Sequence, residues 1–127
     1  MAKYQARAAK ALELFDGCEV IRPIRPDGVF YFTCTLDTAR FPNTRKLESR
    51  NKEVRLYLDR LEAANQLRRD KFFAYELMGA EGVCVVPLSG FSSPHDGFRM
   101  TLLEEDDERF EDICRRIRRG AEAFFQP

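Results

Sequence analysis

The sequence has no tryptophan, only one histidine (His95) and no excess of either charge. Each scarcity excludes something. No apolar run approaches the roughly 18 residues of a membrane-spanning helix. The first residues, Met1-Ala2-Lys3-Tyr4-Gln5-Ala6-Arg7, lack the apolar centre of a secretory signal. Lys+Arg and Asp+Glu are each 21. That balance speaks against a global basic field for nucleic acid and against an acidic disordered tail. The four cysteines, Cys18, Cys34, Cys84 and Cys114, form no C-x-x-C pair. With a single histidine they do not supply the closely paired ligands of a structural zinc site. Three of the four lie in apolar runs or on an apolar face, where a thiol serves as a small hydrophobe. Without an export signal, disulfides are not expected. The expected setting is cytoplasmic, with no membrane, nucleic-acid or metal partner.

What is present suits a single domain over residues 1–127: 44% of the residues are hydrophobic and 33% charged. Helical spacing of Tyr4, Ala8, Ala11, Leu12 and Phe15 predicts a helix over about 3–15, closed by Gly17. Residues 18–22 read as a short strand, and Pro23, Pro26, Asp27 and Gly28 as a turn. The β-branched and aromatic run 29–36 is the strongest strand signal in the chain. A polar connection over 37–47 precedes a helix at about 48–64, with Val54, Tyr57, Leu58 and Leu61 on one face. A second helix follows at about 68–80, carrying Phe72, Phe73, Leu77 and Met78, with Gly82 just beyond it. Val83-Cys84-Val85-Val86 reads as a buried strand and 87–97 as a loop. Residues 98–103 alternate, placing Phe98, Met100 and Leu102 on one face. The last helix, about 106–124, aligns Phe110, Ile113, Cys114, Ile117, Ala121 and Phe124. The expected architecture is α+β, a small sheet covered on one face by helices.

Several groupings invite a chemical reading. Glu104 to Glu108 are five consecutive acids, but they open a helix, where negative charge is locally favoured. A metal site would need convergent oxygens. Arg115, Arg116, Arg118 and Arg119 flank Ile117 on an amphipathic helix without interleaved exposed aromatics, which disfavours phosphate binding. Ser89, Ser92, Ser93 and His95 lie close in sequence, yet no G-x-S-x-G elbow surrounds them. No phosphate-cradling G-x-G-x-x-G occurs. Arg99 differs from all of these. An arginine in mid-strand between Phe98 and Met100 is costly unless it meets water or an anion. It is either a solvent-facing residue of an edge strand or a guanidinium fork presented to a carboxylate.

The run Gly82-Val83-Cys84-Val85-Val86-Pro87-Leu88-Ser89-Gly90-Phe91, followed by Phe98-Arg99-Met100-Thr101-Leu102, resembles the C-terminal part of fold-type I, class I/II aminotransferases. Alanine-aminotransferase-like members are the most similar. Pro26-Asp27-Gly28-Val29-Phe30-Tyr31 resembles the family's entry to a small-domain strand, and the likeness runs from about residue 5 to residue 125. It implies the small domain of a pyridoxal-phosphate enzyme that moves an amino group between an amino acid and a 2-oxo acid. Arg99 then takes the role of the arginine that binds the substrate's α-carboxylate. Ser89, Gly90 and Phe91 would lie near the cofactor cleft, with Phe30 and Tyr31 as packing. The Schiff-base lysine, the aspartate facing the pyridine nitrogen and the phosphate loop belong to the family's large domain. None of Lys3, Lys10, Lys46, Lys52 and Lys71 is taken for that lysine. The family usually has glycine after the proline, where this chain has Leu88, so the loop is expected to run differently here. The expectation is an isolated small domain, an expressed piece or a shortened reading frame, inactive without its large domain. A free-standing α+β binding module is the alternative.

Overall fold

Alternation of side chains builds the sheet. In β2 (Tyr31–Leu36), Phe32, Cys34 and Leu36 are buried while Tyr31, Thr33 and Thr35 face outward. β5 (Gly97–Thr101) buries Phe98 and Met100 and turns Arg99 the other way. The computed structural model describes residues 2–24, 31–48, 51–64, 68–91, 95–102, 104 and 106–127. Within them, β1 (Ile21–Ile24), β2, β5 and β4 (Val86–Pro87) form one antiparallel sheet in the order β1-β2-β5-β4. Helices α1 (Ala2–Phe15), α2 (Lys52–Ala64), α3 (Arg69–Glu81) and α4 (Asp107–Phe124) complete an α+β fold, as expected.

The core lies between the sheet's inner face and the helices. Phe15 of α1 and Phe73 of α3 both approach Phe98, with ring centroids 6.4 and 6.1 Å away, and Phe15 also meets Phe32 at 6.2 Å. α4 contributes Phe110, Cys114, Ile117, Ala121 and Phe124, all buried. Its Cys114 lies near enough to Cys34 of β2 to push that thiol's pKa further up, after burial itself. Asp106 caps α4 by accepting the Arg109 N–H at 3.1 Å. Gly17 and Gly82 follow α1 and α3 with φ of 79° and 68°, a left-handed conformation that glycine takes without strain.

Several expected boundaries move. β1 begins at Ile21 rather than Cys18 and runs through Pro23, which the sequence assigned to a turn. An edge strand tolerates this, because its outer N–H row has no ladder partner to lose. The turn residues Pro26, Asp27 and Gly28, with Val29 and Phe30, lie outside the described residues. Val83 to Val86 is not a buried strand: only Val86 pairs, and Val83 and Val85 are buried while Cys84 and Val86 are exposed. The segment lies at the sheet edge, covered on one face, so its apolar run alternates. The polar connection 37–47 hides a two-residue strand, β3 (Asn43–Thr44), which pairs with β6 (Phe125–Gln126). The loop after Pro87 opens with a 3-10 turn, Leu88–Phe91. α2 starts at Lys52, where Asn51 Oδ1 accepts the Glu53 N–H at 2.8 Å. It buries Leu58 but exposes Val54 and Tyr57, contrary to the expected face.

Candidate functional site

The helices leave one face of the sheet open, and Arg99 stands near its middle. Register fixes this. Ile24 of β1 lies opposite Thr33 of β2, Thr33 opposite Arg99 of β5, and Arg99 opposite Val86 of β4. Paired residues share a face, so these four form one row across the sheet. In the next row Tyr31 pairs with Thr101. The Arg99 guanidinium carbon sits 5.4 Å from the Tyr31 ring centroid, a cation–π contact that fixes the side chain's direction along the open face. Arg99 is half-exposed, flanked by the exposed apolar side chains Tyr31 and Val86, with exposed Ile24 beyond Thr33 in the same row. The alternation expected around Arg99 is therefore present. Arg99 lies on an inner strand, however, not on an edge.

Sequence reasoning missed the residue that holds the neighbouring loop. Asp70, in the first turn of α3, is 1% exposed. Its carboxylate accepts the Ser89 hydroxyl at 2.5 Å, the Ser89 N–H at 2.9 Å and the Gly97 N–H at 3.4 Å. Both ends of the loop are thus tied to one buried acid. An acid in a first helical turn is ordinary in sequence, so nothing there marked Asp70. Leu88, where the family usually has glycine, is buried and begins the 3-10 turn. Ser89 is half-buried and donates to Asp70, so its hydroxyl is a fastening, not a nucleophile paired with His95. Gly90 and Phe91 complete the turn, and Ser92 and Ser93 lie outside the described residues.

The charged groupings resolve within the fold. Arg115 pairs with Glu111, Arg116 with Asp112, Arg118 with Glu122 and Arg119 with Glu81. Arg118 also donates to the carbonyls of Leu14 and Asp16. Asp107 accepts from Arg7, which is 4% exposed, donates to the Leu102 carbonyl and stacks on Phe110. Among the described residues no group of three His, Cys, Asp or Glu could hold a metal ion, and no helix is long and apolar enough to cross a membrane.

No protein-family model matches the chain. An uncharacterized aminotransferase of Methanocaldococcus jannaschii is 33% identical over 104 residues, which is 82% of this chain and 23% of that protein. A probable mitochondrial alanine aminotransferase of Dictyostelium discoideum is 39% identical over 70 residues, 51% of this chain and 13% of its own length. The crystal structure of an aminotransferase from Escherichia coli superposes on 98% of this chain with a TM-score of 0.68, at 17% identity. The match takes in 25% of that enzyme. The chain is a small domain of the aminotransferase type. It spans about a quarter of the length of the Methanocaldococcus jannaschii relative.

Aminotransferases as a family use pyridoxal phosphate, and the described residues of this small domain do not form a seat for it. Lys10 lines a groove of about 300 Å³ between α1 and α4, but it is ion-paired with Glu111 at 3.3 Å. The groove's two cations, Arg7 and Lys10, are paired with Asp107 and Glu111, so it offers a phosphate no net positive charge. Lys46 is held by Asp59 at 2.8 Å. Lys52 follows Ser49 at Ser-x-x-Lys spacing but is exposed at the first residue of α2, and Lys71 is half-buried on α3. None of Lys10, Lys46 and Lys52 is enclosed in a desolvated pocket of the kind that prepares an amine for Schiff-base chemistry.

Proposed function

We propose that residues 1–127 act as the C-terminal small domain of a pyridoxal-phosphate-dependent aminotransferase, in which Arg99 receives the substrate's α-carboxylate. One observation carries the reading: Arg99 is the cation in the central row of a sheet face that no helix of the described residues covers. A planar guanidinium accepts a carboxylate through two parallel N–H···O bonds, and the Tyr31 ring beneath it limits the orientations it can take. The substrate class is an amino acid and its 2-oxo-acid partner, which share that carboxylate.

In this reading the large domain packs over the open face, where the exposed apolar side chains Ile24, Tyr31 and Val86 suit burial. The large domain brings the cofactor, and this chain contributes substrate orientation and the exclusion of water. Asp70 keeps the Ser89–Gly90–Phe91 turn at the rim of that face. The domain alone has no transaminase activity.

The test is Arg99→Lys in the full-length parent enzyme. It keeps the charge and removes the fork. The expected loss is about 1.5–3 kcal/mol in kcat/KM for amino-acid substrates, the range for a hydrogen bond to a charged group. Amine substrates without the carboxylate should be nearly indifferent. Equal losses on both kinds of substrate would make Arg99 structural and end the reading.

A further inference from the structure

α2 approaches α3 closely at Gly79, against Leu58 and Val54. Leu58 is buried, while Val54, Leu56 and Tyr57 are exposed. A cluster of charged side chains also joins α2 to α3 and to the 45–48 segment. Glu76 of α3, 1% exposed, accepts the Leu47 N–H at 2.8 Å. It also takes both terminal nitrogens of Arg55 at 2.6 Å each. Asp59 of α2 accepts from Arg55 at 2.8 Å and from Lys46 at 2.8 Å. Glu62, in the last turns of α2, has a side chain only 7% exposed and approaches the same Arg55 nitrogen that Glu76 holds. Its Oε1 is enclosed with no hydrogen bond among the described residues, and its Oε2 is the oxygen turned towards the cations. That oxygen lies 3.7 Å from Arg55 and 3.8 Å from Lys46, beyond hydrogen-bond reach. Two cations thus face three carboxyl groups, and their short bonds go to Glu76 and Asp59.

We propose that Glu62 and Glu76 share a proton, and that this proton clasps α2 to α3. Two buried carboxyl groups gathered at one guanidinium nitrogen cannot both carry charge cheaply, whereas a protonated Glu62 can donate to an ionised Glu76. Burial, then the bond to Glu76 and its charge, push the Glu62 carboxyl up to about 8. Burial alone would raise Glu76 too, but hydrogen bonds from Arg55, Glu62 and the Leu47 backbone hold it below the usual carboxyl range. The sign follows. Unfolded, Glu62 loses its proton near the ordinary value of 4.5; folded, it keeps it to about 8. The folded state therefore binds more protons across that window. The stabilisation from the clasp is complete below the lower value and is lost as pH climbs to the upper one.

The test compares urea unfolding of the chain and of Glu62→Gln from pH 5.5 to 7.5, together with ¹³C NMR titration of the Glu62 side-chain carboxyl. An amide donates to Glu76 at every pH. The wild-type unfolding constant should rise about tenfold per pH unit, the linkage expected for one proton, and Glu62→Gln should be nearly flat relative to it. The carboxyl resonance should titrate near pH 8. A Glu62 midpoint below about 5.5, or a wild-type slope unchanged in the variant, overturns the proposal. If Glu62→Gln does not fold, the NMR midpoint of the wild type decides alone.

Discussion

Asp70 shows how one buried acid organises a site it does not line. The N-terminal turn of α3 favours its negative charge, and its two oxygens accept from a side chain and from two backbone N–H groups on either end of the 88–97 loop. Removing it strands those donors. Asp70→Ala should cost about 1–3 kcal/mol, because buried N–H groups lose their acceptor. Ser89→Ala removes only the hydroxyl and leaves the backbone bonds, so its cost should be the smaller, about 0.5–1.5 kcal/mol. Denaturant midpoints of both variants check the order. Equal costs would mean that the hydroxyl, not the backbone bonds, holds the loop. Buried Arg7 is a second residue of this kind. Set beside Ala6 and Ala8 on an unremarkable helix, it looks solvated in sequence; only the fold shows it bonded to Leu102 and Asp107 across the α1–α4 contact.

Among the elements, α4 was the most legible and carries the most core. Its apolar stripe repeats at helical spacing for 18 residues, and the structure buries that stripe almost completely. Ile117 is fully buried. Ile117→Ala should therefore destabilise by about 2–5 kcal/mol, the cost of transfer plus a cavity, read from the shift in thermal or urea unfolding. A loss under about half a kcal/mol would contradict its place in the core. β2 and β5 were legible for the same reason, since a half-buried strand alternates. Elsewhere the pattern carried less. α2 reads as amphipathic, but its seat is set by Arg55, Asp59, Glu62 and Glu76, so Tyr57 faces outward. β3 and β6 are two residues each and exist because Phe125 packs on Phe73 and Phe124, at 5.3 and 4.9 Å. No local pattern announces such a pairing. Arg99 was legible as an anomaly, a charge inside an apolar strand, although its inner-strand position needed the register.

At the scale of the whole molecule, the described residues give the sheet a covered inner face and an uncovered outer one. Helices bury Phe32, Cys34, Phe98 and Met100, while Ile24, Tyr31, Val86 and Arg99 form a surface with no covering element among the described residues. An aminotransferase small domain that orients substrate has no need to hold the cofactor itself, and the lysines agree with that division. Lys10 and Lys46 are ion-paired with carboxylates at the surface, not enclosed in a pocket that would hold an aldehyde against them. Lys52 is exposed and hydrated. Pyridoxal phosphate added to the isolated chain should therefore give only slow, scattered modification. After borohydride reduction, intact mass and peptide mapping should find substoichiometric label spread over several lysines, with no saturation at low cofactor concentration. A single lysine labelled to one equivalent would mean that the chain builds a cofactor seat of its own. The division of labour between the two domains would then have to be redrawn.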